Sequence, residues 1–97
     1  SKVKTSLPAD GAELGQIPSS IEINFEMPAR VTKVSLSHTE GAEDHEDRLD
    51  IPTKDFVTSL SLTPELYGAG QYEIEWRALA EDGHAMKGSF SFTVKAE

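Results

Sequence analysis

The chain of 97 residues contains no cysteine, which excludes disulfide bonds, thiolate metal sites and cysteine nucleophiles. Long apolar runs are also missing, so the sequence predicts no membrane-spanning segment. The first residues, SKVKTSLPADG, lack the apolar region of a signal peptide. If the protein is exported, we therefore expect this sequence to be its mature form.

Positive charge is scarce, with nine Lys and Arg residues against seventeen Asp and Glu and a net charge of −8 at pH 7. The basic residues form no cluster along the sequence, and an acidic surface repels phosphate backbones, so we do not expect nucleic-acid binding. Catalytic patterns are missing too. No Ser or Thr lies in a nucleophile-elbow pattern, and no glycine-rich loop precedes a helix, so the sequence does not indicate an enzyme.

Alternation of apolar and polar residues predicts strands along most of the chain, and no run of ten residues has helical periodicity. The clearest strand is QYEIEWRAL, followed after a turn by SFSFTVK. About seven short strands separated by turns predict a single domain over residues 1–97. Its predicted fold is an all-β, antiparallel Greek-key β-sandwich without a disulfide, immunoglobulin-like in architecture. The residues predicted to face the core in the last two strands are Tyr72, Ile74, Trp76, Ala78, Phe90, Phe92 and Val94.

Two stretches interrupt this pattern. Pro28 in MPAR is expected to break the strand that contains Ile21, Ile23 and Phe25. Residues 39–50, TEGAEDHEDRLD, are rich in Asp and Glu and predict a solvated loop. His45 within this stretch is compatible with a weak divalent-cation patch or with a flexible acidic loop. His38 extends the alternation of the preceding strand and is expected to face inward at the edge of the sandwich.

The stretch EDGHAMKG, residues 81–88, places Asp82 and His84 on either side of Gly83. Glycine permits a sharp bend, so the carboxylate and the imidazole can turn toward one point, and this donor pair suits Cu(II), zinc or nickel. Two ligands are too few for a tight site, so further donors would come from elsewhere in the chain, the amino terminus or solvent. The alternative is an ordinary Asp-Gly turn with an exposed histidine. Met86 beside it could approach a soft metal ion or pack against the loop.

Three motifs occur together and in order along the chain. They are S-x-P-A-D-G at residues 6–11, I-x-I-x-F at residues 21–25, and G-x-Y-x-I-x-W-R-A-x-x-x-D-G-H-x-x-x-G-x-F-x-F-x-V at residues 70–94. In these motifs the chain resembles the CopC family of periplasmic copper-resistance and copper-trafficking proteins. The resemblance implies a Greek-key β-sandwich of immunoglobulin-like, cupredoxin-like topology with a Cu(II) site near one end. It also implies a soluble periplasmic carrier or buffer that passes copper to a CopD-type membrane transporter.

The resemblance also implies the ligands. Asp82 and His84 match the loop ligands of the family, which bind Cu(II) together with an amino-terminal histidine through its ring and its free α-amine. Counting back from Pro8 places that histidine just before Ser1, where this chain has no residue. We therefore expect half of the site in this chain and full affinity only with the missing residue. Some members carry a methionine-rich Cu(I) site where this chain is acidic, and two scattered methionines predict no high-affinity Cu(I) site.

Two other functions remain open at this point. One is a structural or interaction module of the same fold that has lost metal binding, which the missing histidine favours. The other is an oxidative enzyme that uses copper held by an amino-terminal histidine. The short chain shows no extended substrate surface, so the sequence favours a copper-binding protein that is not an enzyme.

Overall fold

The computed structural model describes residues 3–40, 43–64, 66 and 68–95. The residues in these ranges form strands and no helix, and they therefore include no helix that could cross a membrane. This confirms the predicted all-β fold with seven strands. The strands are β1 (Val3–Leu7), β2 (Ala12–Leu14), β3 (Ile21–Glu40), β4 (Glu43–Arg48), β5 (Val57–Leu62), β6 (Gly70–Ala80) and β7 (Ala85–Val94).

The 20-residue strand β3 organises the sheet because its partners change along its length. Its first part pairs with β1 and β5, and its second part pairs with β6 and β4. The path then continues from β6 to β7 and β2. All pairs are antiparallel except β2 with β7, which is parallel. A single long strand shared in this way lets the two layers of the predicted sandwich form one curled, hydrogen-bonded sheet around a common core.

Pro28 does not end a strand, and the predicted break at this residue is wrong. The ladder between β3 and β5 is irregular between Asn24 and Ala29, and Pro28 lies inside that interval. Proline has no N–H to donate, and it is tolerated in a strand where the regular ladder is interrupted. The residue therefore coincides with the change of partners along β3, and the strand that His38 was predicted to extend is the second part of β3.

The acidic stretch is also not the loop that its composition predicts. Residues 43–48 form β4, which pairs antiparallel with residues 35–40 of β3. The side chains of Asp44, His45 and Glu46 are exposed, so this strand needs no apolar residues. Charged side chains on such a strand also discourage pairing with other chains. Residues 41 and 42 of the predicted loop lie outside the described residues.

The core lies between the inward faces of β3, β5, β6 and β7, and the predicted inward-facing residues of β6 and β7 are all buried. Aromatic rings pack both between strands of one layer and across the core. The Phe25 and Trp76 rings meet edge to face with centroids 5.3 Å apart, and Tyr72 stacks on Phe92 at 5.1 Å. Such aromatic pairs add about 0.5–1.5 kcal/mol beyond the area that they bury. The layer formed by β6 and β7 is therefore a firm base for the loop that joins them.

His38 faces inward, as predicted, and is 3% exposed. Its Nε2 lies 2.9 Å from the carbonyl oxygen of Ala69, and its ring lies against that of Tyr72 with centroids 4.5 Å apart. The hydroxyl of Tyr72 in turn donates a hydrogen bond to the carbonyl oxygen of Gly68 at 2.5 Å. These contacts make His38 part of the packed edge of the core.

Candidate functional site

The turn that contains Asp82 and His84 is shorter than the sequence indicates. Ala85 to Gly88 belong to β7, so only residues 81–84 connect the two strands. The backbone N–H of Ala80 donates to the carbonyl oxygen of His84 at 2.9 Å, and that of Gly83 donates to Ala80 at 3.0 Å. Gly83 has a φ of +91°, a conformation that favours glycine. The result is a closed four-residue turn at the tip of a long hairpin.

Asp82 and His84 contact each other at this tip, as their spacing predicts. One carboxylate oxygen of Asp82, Oδ1, accepts a hydrogen bond from the backbone N–H of His84 at 3.1 Å. The other, Oδ2, lies 2.7 Å from Nδ1 of the His84 ring. The side chains are 62% and 83% exposed, respectively, so both are open to solvent. The turn therefore presents a carboxylate and an imidazole as one fixed, accessible pair.

The contacts with His84 lower the pKa of Asp82 below its ordinary value of 3.8. The largest cause is the hydrogen bond from the backbone N–H of His84, and the bond with the His84 ring acts in the same direction. Asp82 is therefore an ionised acceptor at neutral pH. An ionised carboxylate beside Nδ1 favours the tautomer with its proton on Nδ1, which leaves Nε2 with a free lone pair.

The start of β1 lies toward the same end of the sheet as this turn. β1 is antiparallel to β3, with Leu7 opposite Glu22 and Val3 opposite Phe25. Further along β3, Ala29 pairs with the last residue of β6, Ala80, immediately before the turn. Following β1 backward from Leu7 to Val3 thus leads toward the turn. Donors from the amino-terminal segment are compatible with this topology.

The other histidines lie at the far end of β6. His38 and His45 are opposite each other on β3 and β4, with nearly parallel rings whose centroids are 6.0 Å apart. His38 pairs with Tyr72, which precedes Ala80 by eight residues of strand and so lies about 26 Å from it. Neither histidine can complete a site with His84. Within the described ranges no group of three or more His, Asp or Glu residues is placed to hold a metal ion.

The two methionines lie on different strands, Met27 on β3 and Met86 on β7. Met86 is half-buried and packs against the apolar core, whereas the sequence offered packing against the loop or approach to a soft metal ion. Met27 is 58% exposed on β3.

A group of residues that the sequence does not reveal lies on the outer face of the sheet. Lys33, Arg77 and Lys87 are separated along the chain, yet the register places them side by side on β3, β6 and β7. The lack of clustering that the linear sequence indicates is therefore wrong for the folded chain. Only the pairing of the strands, which no single segment encodes, could have shown this arrangement.

Comparison with known proteins gives one family. The CopC domain profile matches residues 3–95. Among curated proteins, the chain is 29% identical over 103 residues to copper resistance protein C from Escherichia coli, an alignment that covers 97% of this chain and 80% of that protein.

Solved structures agree with this match. The selenomethionine form of PcoC, a copper resistance protein from Escherichia coli, has a TM-score of 0.71 at 26% identity and covers 98% of this chain and 100% of its own. A second structure of PcoC, described as methionine rich, has a TM-score of 0.72 at 26% identity and covers 97% of each chain. CopC from Methylosinus trichosporium OB3b shares the fold with a TM-score of 0.69 at 21% identity, covering 96% of this chain and 91% of its own. In contrast to the methionine-rich relative, this chain has two methionines.

Proposed function

The chain belongs to the CopC family, and from that premise we propose that it is a periplasmic carrier that binds Cu(II) at the turn between β6 and β7. The family consists of copper-binding carriers, so the prediction that this chain is not an enzyme is confirmed. The binding of Cu(II) in particular, its ligands and its cellular compartment are the proposal.

The contact between Asp82 and His84 is the observation that carries this proposal. An imidazole nitrogen and a carboxylate oxygen are the donor types that Cu(II) favours. The 2.7 Å contact between Oδ2 and Nδ1 restrains the ring before any metal ion arrives, so less freedom is lost on binding. A free turn with an unrestrained histidine would lack this advantage.

Asp82 supports the site in two ways. As an acceptor of the ring N–H, it fixes the orientation of His84, as carboxylates beside metal-binding histidines commonly do. As an ionised carboxylate, it also supplies negative charge near the bound cation, and it becomes an oxygen donor to that ion only if Oδ2 leaves Nδ1. His84 is the nitrogen ligand in this proposal, and Asp82 is its partner.

Further donors are needed, and the amino-terminal segment is the proposed source because β1 starts toward the same end of the sheet. The exposure of both loop residues suits a carrier, because an ion held at a turn can be passed to a partner without opening the core. The proposed recipient is a CopD-type membrane copper transporter. We also expect no high-affinity Cu(I) site, since Met27 and Met86 supply no cluster of soft ligands.

The alternative function is an interaction module of the same family without a tight metal site. One observation favours it: at this turn the described residues bring together only Asp82 and His84, and two protein ligands make a weak site. The measurement of copper binding therefore decides between the two functions.

The test is a Cu(II) titration of His84→Ala, followed by calorimetry and by electron paramagnetic resonance of the bound ion. We expect affinity to fall more than about 100-fold, because removal of a ligand should cost more than the 10–100-fold typical of a supporting residue. Stability should change by less than about 0.5 kcal/mol, since the side chain is exposed. The matched control is His45→Ala, another exposed histidine, which should bind Cu(II) like the wild type.

Unchanged Cu(II) affinity in His84→Ala would reject His84 as a ligand. An equal loss in His45→Ala would show that binding is not specific to the turn. A wild-type chain that binds no Cu(II), with or without an added amino-terminal histidine, would leave the interaction module as the function. Asp82→Asn tests the carboxylate, because the amide carries no charge and its single oxygen can replace only one of the two acceptor oxygens of Asp82. We expect it to lower affinity about 10–100-fold.

A further inference from the structure

Three basic side chains form a row across the outer face of the sheet, here called the cationic row: Lys33, Arg77 and Lys87. Arg77 is directly opposite Lys33 on one side and directly opposite Lys87 on the other. These residues come from three different strands, β3, β6 and β7. Adjacent strands are about 4.8 Å apart, so the row spans about 10 Å.

The cationic row is not explained by the stability of the fold. Like charges directly opposite each other on neighbouring strands destabilise a sheet. Among the described residues, no carboxylate lies within ion-pair distance of Lys33, Arg77 or Lys87. The arrangement is also unexpected in a chain with seventeen acidic residues and nine basic ones. Positive charge that is concentrated at one place despite this repulsion indicates a ligand that supplies the missing negative charge.

A groove of about 340 Å³ lies along the cationic row. On its far side are Ser35 and Ser89, which are small hydroxyl residues, and Glu75 between them is the one carboxylate among the described residues that line the groove. The described lining of the groove therefore combines three cations with one anion. Hydroxyl and ammonium donors in a shallow groove suit carboxylates of a bound chain.

We propose that the cationic row docks an acidic, extended segment of a partner protein. In such a segment, carboxylates two residues apart face the same way and are about 7 Å from each other, so two of them fit along a row about 10 Å long. At physiological ionic strength charges separated by more than about 8 Å are largely screened. A bound segment thus responds mainly to the row and much less to the net negative charge of the whole chain.

The cationic row lies close to the turn that carries Asp82 and His84, so docking there would place the partner protein near the bound ion. This step rests on the proposed Cu(II) function. Lys87 follows His84 by three residues, which corresponds to about 10 Å along the hairpin. An acidic segment held on the row would bring its protein close to the turn that carries the ion. Carboxylates of that segment would also not compete directly for the ion, because they are paired with the row.

The experiment measures binding of a fluorescein-labelled hexa-aspartate peptide to the metal-free chain by fluorescence anisotropy at about 0.15 M salt. The test variant carries Lys33→Gln, Arg77→Gln and Lys87→Gln. The matched control carries Lys4→Gln, Lys54→Gln and Lys95→Gln, which removes the same charge from exposed positions elsewhere. We expect the test variant to bind about tenfold more weakly than the control, because three exposed charge pairs together contribute about one factor of ten.

A hexa-asparagine peptide should not bind the wild type, and amide signals of the cationic row should shift most in nuclear magnetic resonance spectra with hexa-aspartate. Equal binding by the two triple variants, or shifts centred elsewhere, would overturn the proposal. The proposal would also be overturned if the chain bound phosphatidylserine vesicles through the cationic row and did not bind hexa-aspartate. Cu(II) affinity should be the same in both triple variants. A failure of the copper proposal would appear in the Cu(II) titration alone, and a failure of this proposal in the peptide titration alone.

Discussion

Replacement of Gly88 by alanine tests how the hairpin that carries the turn is held to the core. Gly88 is directly opposite Trp76, and its missing side chain leaves space for the indole ring. A Cβ atom at this position would lie 2.5 Å from Cζ2 and 2.8 Å from Cε2 of Trp76. Both distances are far below van der Waals contact, so either the ring or the strand has to move.

The ring has little freedom to move, because Trp76 is 5% exposed and packs edge to face on Phe25. Overpacking of a core costs about 1–3 kcal/mol. Replacement of glycine by alanine returns about 0.4–1 kcal/mol through the unfolded state. We therefore expect Gly88→Ala to lower the free energy of unfolding by about 1–2 kcal/mol. For a domain of this size each kcal/mol lowers Tm by roughly 4–8 °C.

The assay is urea unfolding followed by the fluorescence of Trp76, the single tryptophan of the chain. Gly15→Ala is the matched control, because a Cβ atom there meets nothing within 4 Å and stability should stay the same or rise slightly. In a Trp76→Phe background, with unfolding followed by circular dichroism, Gly88→Ala should be clearly less costly, since the smaller ring leaves room. An unchanged or higher stability of Gly88→Ala in the wild-type background would refute the packing argument.

Three further predictions concern the turn and the far end of the core. Addition of a histidine before Ser1 should tighten Cu(II) binding at least about tenfold by supplying two donors, and equal affinities in calorimetry would contradict this. The pKa of Asp82, measured by nuclear magnetic resonance, should lie below 3.8 and rise in His84→Ala without reaching 3.8, because the backbone N–H of residue 84 still donates. Folding lowers this pKa, so the ionised Asp82 stabilises the folded chain. That contribution should be complete above the unfolded pKa of Asp82 and should be lost as the pH falls through its folded pKa. A free energy of unfolding that does not change over this pH range would argue against the contact. Tyr72→Phe should cost about 1 kcal/mol in urea unfolding by removing the hydrogen bond to Gly68, and wild-type stability would show that this bond contributes nothing.

Local sequence patterns were sufficient to predict the strands that pack against the core and which of their residues are buried. The alternation in β6 predicted which residues are buried because one face of that strand is covered and the other is solvated. The same rule failed at β4, where residues 44–46 are all exposed and leave no alternation to read. It failed at Pro28 for a different reason. A proline signals a break in any isolated segment, and only the change of partners along β3 makes it acceptable.

The candidate site shows the same division. The spacing of Asp82, Gly83 and His84 by itself determined that a carboxylate and an imidazole share one turn, because contacts between residues two positions apart depend on local backbone geometry. Tertiary structure alone decided that the start of β1 lies toward this turn and that His38 and His45 lie at the other end of the sheet.

The cationic row was likewise decided by tertiary structure alone. Lys33, Arg77 and Lys87 are far apart in the sequence, and they become neighbours only when β3, β6 and β7 pair in one particular register. Register depends on which faces the whole sheet buries, and a shift of one residue would turn each of these side chains to the opposite face. A single segment of the sequence therefore determines the turn with Asp82 and His84, whereas the pairing of several strands determines the cationic row.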